Sequence, residues 1–138
     1  MRSVLTTVFA SLLFATAAMA QDGLSTARDI IEKQISAFLN DDIETAYSFA
    51  AAGIKAAYPD PRFFVEMVKR NYGPVYRPGN YAFGRGVLGT DGNTIAQELL
   101  ITGPRGKDWR AVYVLEKQAD GAFRITGVRL SKLSGSAI

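Results

Sequence analysis

The chain has no cysteine and no histidine among its 138 residues. Without cysteine there can be no disulfide, thiolate nucleophile or thiolate metal site, and no acylated lipoprotein cysteine. Without histidine the commonest general base and the commonest transition-metal ligand are missing. Ser-His-Asp hydrolysis, His-ligated haem and zincin chemistry are therefore excluded by composition. A strong excess of one charge is also lacking, since 16 Lys and Arg face 13 Asp and Glu. The imbalance is local. Residues 21–54 are acidic, whereas 55–85 carry Lys55, Arg62, Lys69, Arg70, Arg77 and Arg85 against Asp60 and Glu66. This distribution predicts a polarised surface, a property of solubility and weak association rather than of fold.

The beginning of the chain reads as an export leader. Met1-Arg2-Ser3 is a short basic start, Val4 to Ala18 an apolar run too short for a membrane span, and Ala18-Met19-Ala20 an A-x-A site. Cleavage is expected after Ala20, so residues 1–20 are a secretory signal peptide and 21–138 the mature domain. The expected location is the periplasm of a Gram-negative cell or the outside, with no stable membrane span after cleavage. A mature chain of this length forms one domain with one core.

Two strands organise that domain. In Trp109–Glu116 one face carries Trp109, Ala111, Tyr113 and Leu115, and the other carries Arg110, Val112, Val114 and Glu116. Successive strand residues alternate sides, and a strand apolar on both faces in its middle predicts cover on both. Asp120-Gly121 marks the hairpin turn into Ala122–Lys132. A phase shift near Gly127-Val128 predicts a bulge.

Upstream, the apolar spacing of Ala27, Ile30, Ile31, Ile35, Phe38 and Leu39 predicts a helix over Ser25–Asn40, with Thr26 and Asp29 as a capping box. A second helix carries Ile43, Ala46, Tyr47, Ala50 and Ile54. A third starts at Asp60-Pro61 and buries Phe63, Phe64, Met67 and Val68. After an irregular Pro74–Asn80, strands follow over Tyr81–Leu88 and Thr94–Thr102. Three N-terminal helices packed on a curved four-stranded antiparallel sheet make an α+β fold.

Over nearly all of the mature chain, the helical pair IIEKQISAFLNDDIETAYSFAA, the third helix and the closing strand FRITGVRL resemble the nuclear transport factor 2-like superfamily, also called SnoaL-like or cystatin-like. Within it, YPDPRFFVEMVKRNYGPVYRP resembles the bacterial domain-of-unknown-function family numbered 4864, which is uncharacterised. The resemblance implies a cone-shaped sheet, a pocket between sheet and helices, and frequent homodimers. Enzymes of the superfamily place Asp, Tyr or His in that pocket. This chain has no histidine, and no catalytic residue is carried over.

Several patterns have plain structural explanations. Gly84-Arg85-Gly86-Val87-Leu88-Gly89 spells G-x-G-x-x-G, but a strand follows instead of the helix that a dinucleotide site needs. Asp41, Asp42 and Glu44 suit helix capping better than a metal site. Tyr72, Tyr76, Arg77, Tyr81 and Arg85 interleave rings and charges, as single-strand nucleic-acid binders do. An exported domain makes a rim over the open end of the sandwich the better reading. No cofactor, metal or nucleic acid is implied.

The pocket candidates are Tyr47, Phe64, Tyr81, Glu98, Trp109 and Tyr113. Glu98 turned inward would be desolvated and able to act as an acid or base; turned outward it pairs with Arg110 across the strands. Three functions follow. The first is non-catalytic binding of a small apolar ligand or a protein partner. The second is an isomerase- or cyclase-type enzyme using a carboxylate, Glu98 or Asp60, with a tyrosine. The third is a structural homodimer through Leu100, Val112 and Val114.

Overall fold

The computed structural model describes the backbone of residues 7–133 and the side chains of residues 17–103 and 105–133. The basic start Met1-Arg2-Ser3 and the end of the tail, Ser134–Ile138, lie outside the described residues. Helix α1 spans Thr7–Leu39, followed by α2 (Ile43–Ser48), α3 (Ala52–Ala57), α4 (Pro61–Asn71) and the single turn α5 (Gly73–Tyr76). Strands β1 (Asn80–Leu88), β2 (Thr94–Thr102), β3 (Asp108–Lys117) and β4 (Phe123–Lys132) form one antiparallel sheet in the order β1-β2-β3-β4. This is the expected α+β meander. The sheet is curved and does not close.

The helices differ from the sequence reading in three ways. First, α1 runs back across Ala18-Met19-Ala20 instead of starting at Ser25. Thr26 lies inside it and donates to the Asp22 carbonyl one turn earlier, so it caps nothing. The core begins at Ala27, while Ala17, Ala18 and Met19 are exposed. No helix among the described residues is long and apolar enough to cross a membrane.

Second, the expected Ile43–Ile54 helix breaks in two. Between α2 and α3 the backbone docks on the free edge of β4: Ile125 N–H donates to Phe49 O (2.9 Å), and Ala51 N–H to Ile125 O (2.8 Å). An exposed sheet edge offers unpaired backbone groups, and satisfying Ile125 outweighs one more helical turn. Third, two apolar positions face water. Leu39 is 49% exposed at the end of α1, and Phe63 is 67% exposed on α4, where Val65 is buried in its stead. The start of α4 is as expected, with Asp60 accepting from Arg62 N–H (2.9 Å) and Pro61 in the first turn.

Two apolar clusters hold these layers together. One packs Ala27, Ile31 and Ile35 of α1 onto Ile95, Leu99, Ile101, Ala111, Tyr113, Leu115 and Ile125 of the sheet. The other gathers Phe38, Ala46, Ala50, Phe64, Val65 and Val68 among the helices. The inner face of β3 is therefore buried, as expected. Its outer face is not covered by any of the described residues, contrary to the two-sided expectation. Val112 and Val114 are half-buried, and Leu100 and Val87 beside them are exposed.

Bulges bend the outer strands. Ile125 faces Leu115 and Gly127 faces Val114, which leaves Thr126 as the extra residue, one position before the predicted shift. Its hydroxyl donates to Val114 O (3.1 Å). On β1 the register jumps between Phe83 and Gly86, so Gly84 and Arg85 stand against Glu98 alone. The glycines of the G-x-G-x-x-G string thus serve a strand and a turn, as the sequence predicts. A Cβ on Gly86 would lie 2.5 Å from Gln97 Oε1 and 2.8 Å from a Leu24 methyl.

Tyr113 is fully buried, and its hydroxyl has no hydrogen-bond partner among the described residues. Burial, with a smaller contribution from Tyr81, pushes its pKa well above the ordinary tyrosine value. A buried hydroxyl without a partner costs roughly 1–3 kcal/mol. Tyr113→Phe is expected to raise unfolding stability in urea by about 1 kcal/mol. A fall instead would mean that the hydroxyl is hydrogen-bonded.

Candidate functional site

A cavity of about 410 Å³ lies between the helices and the β4 end of the sheet. Its existence follows from three local decisions already described. The break between α2 and α3 swings α3 outward and brings Ala50, Ala51, Ile54 and Ala57 to one wall. Helix α4 contributes Phe64, Met67 and Val68 at the i, i+3, i+4 spacing of a single helix face. The bulge at Thr126 turns Thr126, Gly127 and Val128 to the floor. The residues at these positions are small on two walls and bulky on one, so a hollow remains.

Its lining is apolar, and none of the lining residues is charged. The polar groups that reach it are largely occupied. Gln34 donates to Ala46 O (3.1 Å) and Thr126 to Val114 O (3.1 Å). Tyr58 and Tyr72 also line the cavity, and neither hydroxyl has a partner among the described residues. Such a hollow falls within the size of small-molecule sites, roughly 300–1,000 Å³, which are mostly apolar with a few polar groups to fix orientation.

Beside it, sharing Tyr72 and Val128, opens a wider cleft between the end of α4 and the β4 edge. Lys69, Arg70, Asn71, Trp109 and Arg129 line that cleft, and no carboxylate among the described residues does.

Of the six residues expected to form one pocket, Phe64 alone lines the cavity. Tyr47 stands behind it, ring against Phe64 at 5.4 Å, with its hydroxyl donating to Tyr58 O (2.6 Å). Trp109 borders the cleft. Tyr113 lies inside the core under α1, and Tyr81 packs at its margin against Phe83 at 6.3 Å. Glu98 points away from the helices. Odd-numbered residues of β2 face the core, so Glu98 faces out, and its Oε1 lies 3.3 Å from Arg110 Nε. Asp60, the other carboxylate considered, caps α4 and is held below the ordinary carboxylate range chiefly by its hydrogen bond to Arg62. Neither carboxylate meets a tyrosine in the cavity.

The sequence reading missed the α3 wall and the 126–128 floor, because both depend on contacts between segments far apart in the chain. It also passed over Gln97, a buried amide in an apolar strand, which was a legible signal.

The tyrosine-rich connection serves α1. Arg77 stacks over Tyr76 at 4.3 Å, donates to the Phe38 carbonyl at the end of α1, and bridges to Asp41 (2.7 Å). With Asp41 so engaged and at positive φ, it is Asp42 that caps α2, accepting from Thr45 N–H (3.2 Å).

No curated protein matches the chain, and no solved structure does. A family profile described as a domain of unknown function does match, over residues 20–138. It takes in every strand of the sheet, α2 to α5, and α1 from Ala20 onward, and on that match the chain belongs to the domain-of-unknown-function family DUF4864.

Proposed function

We propose that this is an exported, non-catalytic domain that binds a small apolar molecule in the cavity between α3, α4 and β4. The observation that carries the reading is the lining itself: about 410 Å³ walled mainly by apolar residues, with two tyrosines, Tyr58 and Tyr72, and no charged residue among those described. Acid–base chemistry at that place would need a proton carrier that titrates near neutrality, and the lining supplies none. Export is supported by the leader pattern and by the start of the family match at residue 20, beside the expected cleavage point. The order of helices α1 to α5 and then a four-stranded meander, with a hollow between the layers, also supports a place in the nuclear transport factor 2-like superfamily.

The test is titration with the neutral fluorescent probe N-phenyl-1-naphthylamine. The expected result is saturable binding of one probe per chain. Ala57 is exposed and lines the cavity, so Ala57→Trp is expected to block binding while leaving the thermal midpoint within a few degrees. Absence of saturable binding by the unaltered protein, or equal binding by Ala57→Trp, overturns the reading.

A further inference from the structure

The cavity and the cationic cleft beside it are contiguous, and their chemistries differ. The cavity has no charge. The cleft has Lys69, Arg70 and, at its sheet edge, Arg129, and no acid among the described residues lines it. Met67 lines the cavity, and Arg70 follows it by three residues on the same helix. Residues three apart are neighbours on a helix surface, so Arg70, which lines the cleft, lies one turn beyond Met67 of the cavity wall.

These cations are not equally committed. Lys69 is 3.4 Å from Glu66 and lies over the Tyr76 ring. Arg70 and Arg129 make no ion pair among the described residues, and both are exposed. The α4 macrodipole favours Lys69 and Arg70 at its C-terminal end. Arg129 stands in the same cross-strand row as Val112 and Glu98, on the outer face of β4, and borders the cleft only at the sheet edge.

We propose that the occupant is an anionic amphiphile, with its hydrocarbon portion in the cavity and its carboxylate or phosphate in the cleft, held by Arg70. This rests on the cavity reading and adds the ligand class to it. A planar guanidinium matches either anion with two parallel hydrogen bonds. The lining matches the hydrocarbon.

Competition against bound N-phenyl-1-naphthylamine tests the class, using decanol, decyltrimethylammonium, decanoate and decyl phosphate at low salt. The two anions are expected to bind about tenfold tighter than decanol, which corresponds to ~1.4 kcal/mol, and the cation more weakly. The better of the two anions identifies the headgroup as carboxylate or phosphate. Arg70→Glu is expected to abolish the anion preference and leave decanol affinity unchanged. Salt at 0.5 M should shrink the preference in the unaltered protein, because exposed charges are screened. Equal competition by decanol and both anions overturns the headgroup assignment and leaves the cavity reading standing. Failure of the probe itself to bind removes both. An anion preference that survives Arg70→Glu overturns the role of Arg70.

Discussion

Replacing Phe64 with alanine is expected to lower unfolding stability by about 3–5 kcal/mol, the range for deleting a buried aromatic side chain. Phe64 is 4% exposed and sits where the helices meet. Its ring packs against Phe38 at a centroid distance of 6.4 Å and edge-on to Tyr47 at 5.4 Å. Removing it enlarges a hollow that already exists, and the surrounding small residues, Ala46 and Ala50, have no side chain long enough to fill the gap. The loss should appear as a lower urea midpoint with an unchanged slope, since the same surface is exposed on unfolding. A loss below about 1 kcal/mol would mean that the second cluster does not hold α4 to the rest of the domain. The variant should still bind N-phenyl-1-naphthylamine when folded, because the wall it opens is apolar.

Gln97→Leu is expected to cost about 2–3 kcal/mol even though it replaces a buried polar group with an apolar one of similar size. The amide nitrogen of Gln97 donates to Glu98 O (2.9 Å) and lies within 3.3 Å of Gly84 O and 3.5 Å of Arg85 O. Its oxygen accepts from Arg28 Nε (3.3 Å) on α1. Two of these carbonyls, Gly84 O and Arg85 O, belong to the bulge in β1, where the ladder is interrupted, and the third is Glu98 O on β2 opposite it. Leucine would leave those part-buried groups without their partner, and the penalty for that exceeds the gain from burying a methyl. Thermal unfolding is the convenient readout, with a midpoint lower by ~8–12 °C. Amide exchange should accelerate first in Phe83–Gly86, the segment that Gln97 ties down. A variant as stable as the parent would show that water satisfies the bulge and that the amide is dispensable.

The two cases separate what local pattern can convey from what it cannot. Alternation along Trp109–Leu115 predicts both the strand and its inward face, because period two leaves each residue one side to occupy. Tyr113 is fully buried there. The start of α4 is equally readable, since Asp60-Pro61 both caps and presets the first turn. Phe63 and Leu39 were misassigned because an apolar stripe defines an arc, and only the neighbours decide how much of the arc is covered. Glu98 was open to either face until the strand register put it beside Arg110.

The candidate site was the least legible part. Phe64 lines the cavity, and the other five candidates lie elsewhere, in the core, behind the wall, at the cleft or on the outer face. The hollow is bounded by Ala50–Ala57 and Thr126–Val128, segments that carry no chemical motif. They meet because Phe49 and Ala51 hydrogen-bond Ile125 on the free edge of β4. No period in either segment announces that contact.

The residues alone determined the helices-then-strands order, the four strand positions, and the exclusion of thiol and imidazole chemistry. These follow from composition and from side-chain periodicity, which act within a few residues. The tertiary structure decided where α2 ends, which face of β3 is left uncovered, and that an uncharged cavity adjoins a cationic cleft. Those depend on which backbone groups remain unpaired once the sheet has formed, and pairing across dozens of residues has no local signature.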